Sequence, residues 1–115
     1  MGGAMTDHQV FRKLEDLAAA GVRACLATIT WTSGSTPLGV GARMIVLADG
    51  STFGSIGGGC VESGVRAAAI RLLVTGRGHQ LLTADLSGSD GAEDADVCGG
   101  RMTLWLEGHP LVHGP

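Results

Sequence analysis

Three consecutive glycines, Gly57, Gly58 and Gly59, stand between a strand-like stretch and a helical one. Glycine gives up more conformational freedom on folding than any other residue, so such a run is unfavourable inside a regular element. It suits a sharp corner where the backbone comes close to another group. Just upstream, Asp49-Gly50 reads as a tight hairpin turn between residues 42–48 and a short returning strand at 51–55. Just downstream, residues 60–75 place Val61, Val65, Ala68, Ala69, Leu72 and Leu73 on one side of a helix, with Glu62 and Arg66 four apart on the outer face. Strand, glycine corner and helix therefore follow one another directly.

The remaining pattern fills in a small layered fold. Residues 7–20 read as a helix, with Thr6 or Asp7 as cap, Val10, Leu14, Leu17 and Phe11 as its apolar face and Gly21 as its stop. Residues 24–31 alternate weakly, as a strand buried on both faces does. Residues 32–41 form a polar, glycine-rich loop. Gly76 and Gly78 end the second helix, and residues 79–84 read as a strand. Residues 85–97 are an acidic loop, and residues 100–107 alternate Met102, Leu104 and Leu106 against Arg101, Thr103, Trp105 and Glu107, a half-buried strand. The tail at 108–115 is expected to fray. The chain of 115 residues is thus expected to be one compact α/β domain, with a mixed sheet flanked by about two helices, glycine-rich loops at the strand–helix junctions and an ordered core over about 7–107.

Composition removes several function classes. Eight Lys and Arg against eleven Asp and Glu give a net charge of −3, which excludes a broadly cationic nucleic-acid binder. Aromatic residues are too few for a base-stacking surface: Phe11, Trp31, Phe53 and Trp105, with no Tyr. Charged residues at 17% and hydrophobic residues at 44% argue against disorder. No apolar run approaches the roughly 20 residues that span a membrane, and a start without basic and apolar leader regions points to the cytoplasm. Cys25, Cys60 and Cys98 are odd in number and widely spaced, unlike a disulfide framework, and without a CxxC pair there is little support for a structural zinc site.

The chemistry concentrates in three segments. In the first, Gly54 to Glu62, successive N–H groups of Gly57, Gly58 and Gly59 and the positive end of the following helix make a candidate anion site. It is neither a P-loop nor a GxGxxG fingerprint, and a tight corner needed for packing alone explains the same glycines. Cys60 stands near the helix start, where a thiolate is favoured, and a small buried thiol is the plain alternative. In the second, Cys98-Gly99-Gly100 repeats the pairing of Cys with glycine and suggests that Cys60 and Cys98 share a site; the acids Asp90, Glu93, Asp94 and Asp96 just upstream oppose a low thiol pKa. Cys25, inside an apolar strand, reads as structural. In the third, the run from Thr32 to Pro37 offers four hydroxyls beside Gly34, followed by Arg43, groups suited to phosphate or a polar heterocycle. An ordinary Ser/Gly turn with a surface Arg explains it equally. His8, His79, His109 and His113 are scattered, none at ligand spacing from a carboxylate or Cys.

These segments, Thr32-Ser33-Gly34-Ser35-Thr36-Pro37, Gly41 to Gly50, Gly54-Ser55-Ile56-Gly57-Gly58-Gly59-Cys60-Val61-Glu62 and Cys98-Gly99-Gly100-Arg101, resemble in content and order the amino-terminal domain of the XdhC/CoxI family. The resemblance covers roughly residues 14–107. It implies a maturation factor for molybdenum hydroxylases such as xanthine dehydrogenase or carbon monoxide dehydrogenase. Such a factor binds molybdenum cofactor transiently, supports its sulfuration with a separate cysteine desulfurase and delivers it to the apo-enzyme as a chaperone rather than an enzyme. On this reading the cofactor-binding set is Ser33, Ser35, Arg43, Gly57, Gly58, Gly59, Cys60, Glu62, Cys98 and Gly99. Gly57 to Gly59 bind phosphate or an oxo group, Cys60 is the main thiol and metal contact, Cys98 is second, and Ser33, Ser35 and Arg43 line the opposite wall. Longer members carry a carboxy-terminal Rossmann-like domain for which residues 1–115 leave no room, which leaves open a split-family subunit with a Rossmann-domain partner chain, a homodimer, or a domain cut from a longer protein. Two other readings stay open: a sulfur-carrier or redox enzyme using Cys60, and a protein-interaction module with purely structural glycine loops.

Overall fold

The computed structural model describes residues 4–86 and 99–110, with the backbone alone at Cys60. Helix α1 (Asp7–Ala19) begins with a reciprocal cap: the Gln9 N–H donates to Thr6 Oγ1 at 3.1 Å, and the Thr6 N–H donates to Gln9 Oε1 at 2.9 Å. Strands β1 (Ala24–Ser33), β2 (Arg43–Leu47) and β3 (Thr52–Gly54) follow. Helix α2 (Gly59–Thr75), closed by Gly76, then leads to β4 (His79–Asp85) and β5 (Arg101–His109). The five strands form one sheet in the order β3-β2-β1-β5-β4.

Every strand pairing is antiparallel, so the expected mixed sheet is corrected on this point. The cause lies in the connections. The consecutive strands β1 and β2, β2 and β3, and β4 and β5 pair as neighbours, and α2 carries the chain from one edge strand, β3, to the other, β4. The strands that run the same way across that helix are never neighbours.

Alternation sorts the core into two layers. Cys25, Ala27, Ile29, Met44, Val46, Met102, Leu104 and Leu106 face α2, where Val61, Val65, Ala68, Ala69 and Leu72 meet them. Ala24, Leu26 and Ile45 face Val10 and Leu14 of α1. The central strand β1 thus contributes to both layers, as its weak alternation anticipates. Phe11 departs from expectation: it is exposed, beneath the Arg43 guanidinium, rather than part of the α1 core.

Two strands run further than their local pattern suggests. Residues 32 and 33 belong to β1 because Thr32 and Ser33 pair with Met102 and Arg101. Gly108 and His109, expected in a fraying tail, belong to β5 because they pair with Cys25 and Ala24. A partner across the sheet, not local composition, decides both ends. Residues 111–115 and most of the acidic 85–97 segment lie outside the described residues. No helix among the described residues is long and apolar enough to cross a membrane.

Candidate functional site

The three glycine-bearing segments meet at one end of the sheet. Gly57 adopts a φ of +132°, and a Cβ built there would lie 2.9 Å from Pro37 Cβ, so the glycine turn rests directly on the serine-rich loop. A Cβ on Gly100 would overlap the Ser35 carbonyl oxygen and lie 2.7 Å from that of Ser33, so the start of β5 passes under the same loop. Residues 33–37, 57 and 99–100 are thus walls of one corner, brought together by β1–β5 pairing and by the seating of α2.

Ile56, fully buried in the α2 layer, anchors the glycine turn from below. Above it, the turn's N–H groups have partners within the chain. Glu62 Oε2 accepts from the Gly58 N–H at 2.8 Å, the Ile56 N–H at 3.1 Å and the Ser55 hydroxyl at 2.6 Å. Ser55 Oγ in turn accepts from the Gly57 N–H at 3.1 Å. Partial burial pushes the Glu62 carboxyl up. The hydrogen bonds from Ser55 and from the backbone N–H groups outweigh it and hold the group below its ordinary value. The expected roles shift accordingly. Gly57 and Gly58 already spend their N–H groups on Ser55 and Glu62. Glu62 turns back to the loop instead of standing on the outer face opposite Arg66. The sequence signal for this was a carboxylate in the first turn of a helix whose cap, Gly58, has no side chain of its own to offer.

Of the remaining candidates, Ser33, Ser35, Gly59 and Gly99 are exposed at this corner. Cys60 is the second residue of α2, in its first turn. Cys98 lies outside the described residues. Arg43 does not belong to the corner: its Nη1 donates to Asp7 Oδ1 at 2.5 Å and its guanidinium stacks on Phe11, both on the α1 face. Period-two alternation already holds the reason, because Arg43 shares a face with Ile45, which packs on α1, and not with Met44. Cys25 is fully buried, and burial pushes its thiol up to about 12, as a structural cysteine requires.

Sequence reasoning missed one cluster. On β5, Glu107 Oε2 accepts from Trp105 Nε1 and Oε1 meets His109 Nε2, each at 2.7 Å, while His79 stacks on Trp105 with ring centroids 4.9 Å apart. A histidine thus does pair with a carboxylate, two residues away, a spacing that puts both on one face of a strand. Among the described residues no group of three or more His, Cys, Asp or Glu is placed to hold a metal ion.

Comparison with known proteins places the chain in a family. The chain is 31% identical over 101 residues, 87% of its length, to the molybdenum cofactor insertion chaperone PaoD of Escherichia coli. The crystal structure of a protein described as a xanthine dehydrogenase from Bacillus halodurans superposes with a TM-score of 0.70 at 28% identity over 84% of the chain. The chain spans about a third of each relative, 31% of the first and 29% of the second. The sequence profile of the XdhC and CoxI family matches residues 17–85, which hold the serine-rich loop and the glycine corner, and the chain belongs to that family.

Proposed function

We propose that this domain is a molybdenum cofactor-binding maturation factor that holds the cofactor as cargo and hands it to a molybdenum hydroxylase. One observation carries the reading. The three segments shared with the family pattern, distant in sequence, converge at one end of the sheet in a chain 31% identical to an insertion chaperone. The chemistry of the corner is compatible with a phosphate-bearing pterin. Exposed hydroxyls of Ser33 and Ser35 line one side, and the first turn of α2, with its positive dipole end, lines the other. In this reading Cys60 is the main thiol toward the metal and Cys98 the second, with Gly59 and Gly99 giving the cargo close access to backbone. Arg43, on the other face, takes no part. Sulfuration with a cysteine desulfurase belongs to the same reading and rests on family resemblance.

The test is an anaerobic titration of the chain with molybdenum cofactor, wild type beside Cys60→Ala. Saturable binding near one cofactor per chain, weakened in the variant, is expected. Absence of saturable binding to the wild-type chain would overturn the reading, and unchanged binding by a Cys60→Ala, Cys98→Ala double variant would remove its thiol part.

A further inference from the structure

Glu62 is the best-connected side chain at the corner, yet its connections all run inward. Its Oε2 takes one hydroxyl and two backbone N–H groups, and Ser55 closes the circuit by accepting the N–H between them. The helix that follows has a glycine cap without a capping side chain, so this carboxylate supplies the missing acceptor from within the first turn. Three successive N–H groups, of Ile56, Gly57 and Gly58, are thereby fixed in direction. The braced turn is the segment that rests on Pro37, and the Pro37 loop is the one that packs on Gly100. A change in the turn therefore reaches both other walls of the corner.

We infer that Glu62 is a positioning residue: its carboxylate braces the Gly57–Gly59 turn against the Ser33–Pro37 loop and so sets the shape of the cargo site without touching the cargo. This inference rests on the cargo reading given above. It assigns Glu62 a different role from that of a binding group, because an acceptor-only carboxylate turned toward an anionic cofactor repels it, whereas one whose Oε2 is taken up by inward hydrogen bonds shapes the cradle that receives it. The brace also separates two properties. The side chains of the core beneath the corner, from Ile56 to Leu106, pack on one another and on α2, so loss of the brace is expected to change the corner more than the fold.

Two variants, Glu62→Ala and Glu62→Gln, test this with three readouts: amide hydrogen exchange, thermal midpoint and anaerobic titration with molybdenum cofactor. In Glu62→Ala the amides of Ile56, Gly57 and Gly58 are expected to exchange at least about tenfold faster, while those of β5 keep their rates; the cofactor Kd rises about tenfold in protein that remains folded. Glu62→Gln, whose side-chain oxygen still accepts, is expected to recover most of that affinity. Unchanged exchange at residues 56–58 in Glu62→Ala would overturn the brace. Faster exchange with an unchanged Kd would overturn the positioning role alone. A wild-type chain that binds no cofactor would overturn the cargo reading, and the positioning role with it, while the exchange rates still report whether the brace exists.

Discussion

Gly100→Ala is the sharpest perturbation of the corner, because a single methyl group meets backbone on the far side. The added Cβ would overlap the Ser35 carbonyl oxygen and sit 2.7 Å from the Ser33 carbonyl oxygen and 2.8 Å from the Ser35 carbonyl carbon. None of these atoms is the end of a flexible side chain. Relief requires that the Ser33–Ser35 loop and the start of β5 move apart, which works against the pairing of Ser33 with Arg101. Overpacking of this kind costs about 1–3 kcal/mol. For a chain of 115 residues, a loss of about 2 kcal/mol lowers Tm by roughly 8 °C. Gly64→Ala is the matched control: the same methyl at an exposed position of α2 meets nothing within 4 Å. There alanine is expected to stabilise by about 0.5–1 kcal/mol, because it loses less entropy in a helix than glycine does. Urea unfolding followed by circular dichroism reads both variants, and cofactor titration reads the corner. If Gly100→Ala matched the wild type in stability and in cofactor affinity, the close packing of β5 under the serine loop would be refuted. If both variants shifted stability alike, the effect would belong to alanine itself and not to the corner.

Three other outcomes follow from the geometry. Thr6→Ala removes one half of the α1 capping box and is expected to cost about 1 kcal/mol, measured by urea unfolding, with cofactor affinity unchanged. Glu62 titrates lower in the folded chain than its ordinary value of 4.5, so its contribution to stability is present above pH 4.5 and is lost as pH falls through the lower folded value. The stability gap between wild type and Glu62→Gln should therefore shrink on acidification below pH 4.5; a gap that widens would contradict the hydrogen-bond assignment. Cys25, with its thiol at about 12 and no exposed surface, should stay unmodified by iodoacetamide at pH 8 in the native state and react fully in urea, as read by peptide mass spectrometry.

Much of the fold was legible because it is written in local pattern. The two helices, the hairpin at Asp49-Gly50 and the alternation of Met102, Leu104 and Leu106 each depend on spacing within a few turns or residues, and the structure places each element within a few residues of that reading. Strand ends were less legible. Ser33 and His109 are held in strands by partners across the sheet, and no local signal carries that information. Within the corner, the segments themselves stood out by composition, yet their convergence depends on contacts such as Gly57 with Pro37 and Gly34 with Gly100, which join distant stretches. Arg43 was misplaced although its parity with Ile45 was available. Glu62 stands four residues from Arg66, but the N–H groups upstream make the stronger claim on its carboxylate.

The strand order carries a consequence for how the chain is made. β5 lies between β1 and β4, yet it follows both in sequence, and the family profile ends at residue 85, before it begins. On the ribosome, β1 to β3 and α2 emerge before β5, and so does β4, whose one sheet neighbour among the described strands is β5. Pairing of residues 101–109 with both β1 and β4 joins the two halves of the sheet and sets Gly100 against the serine loop. A truncation at residue 85 would retain the residues that the family profile matches and lose both the Gly99-Gly100 wall of the corner and the strand that joins the two halves of the sheet.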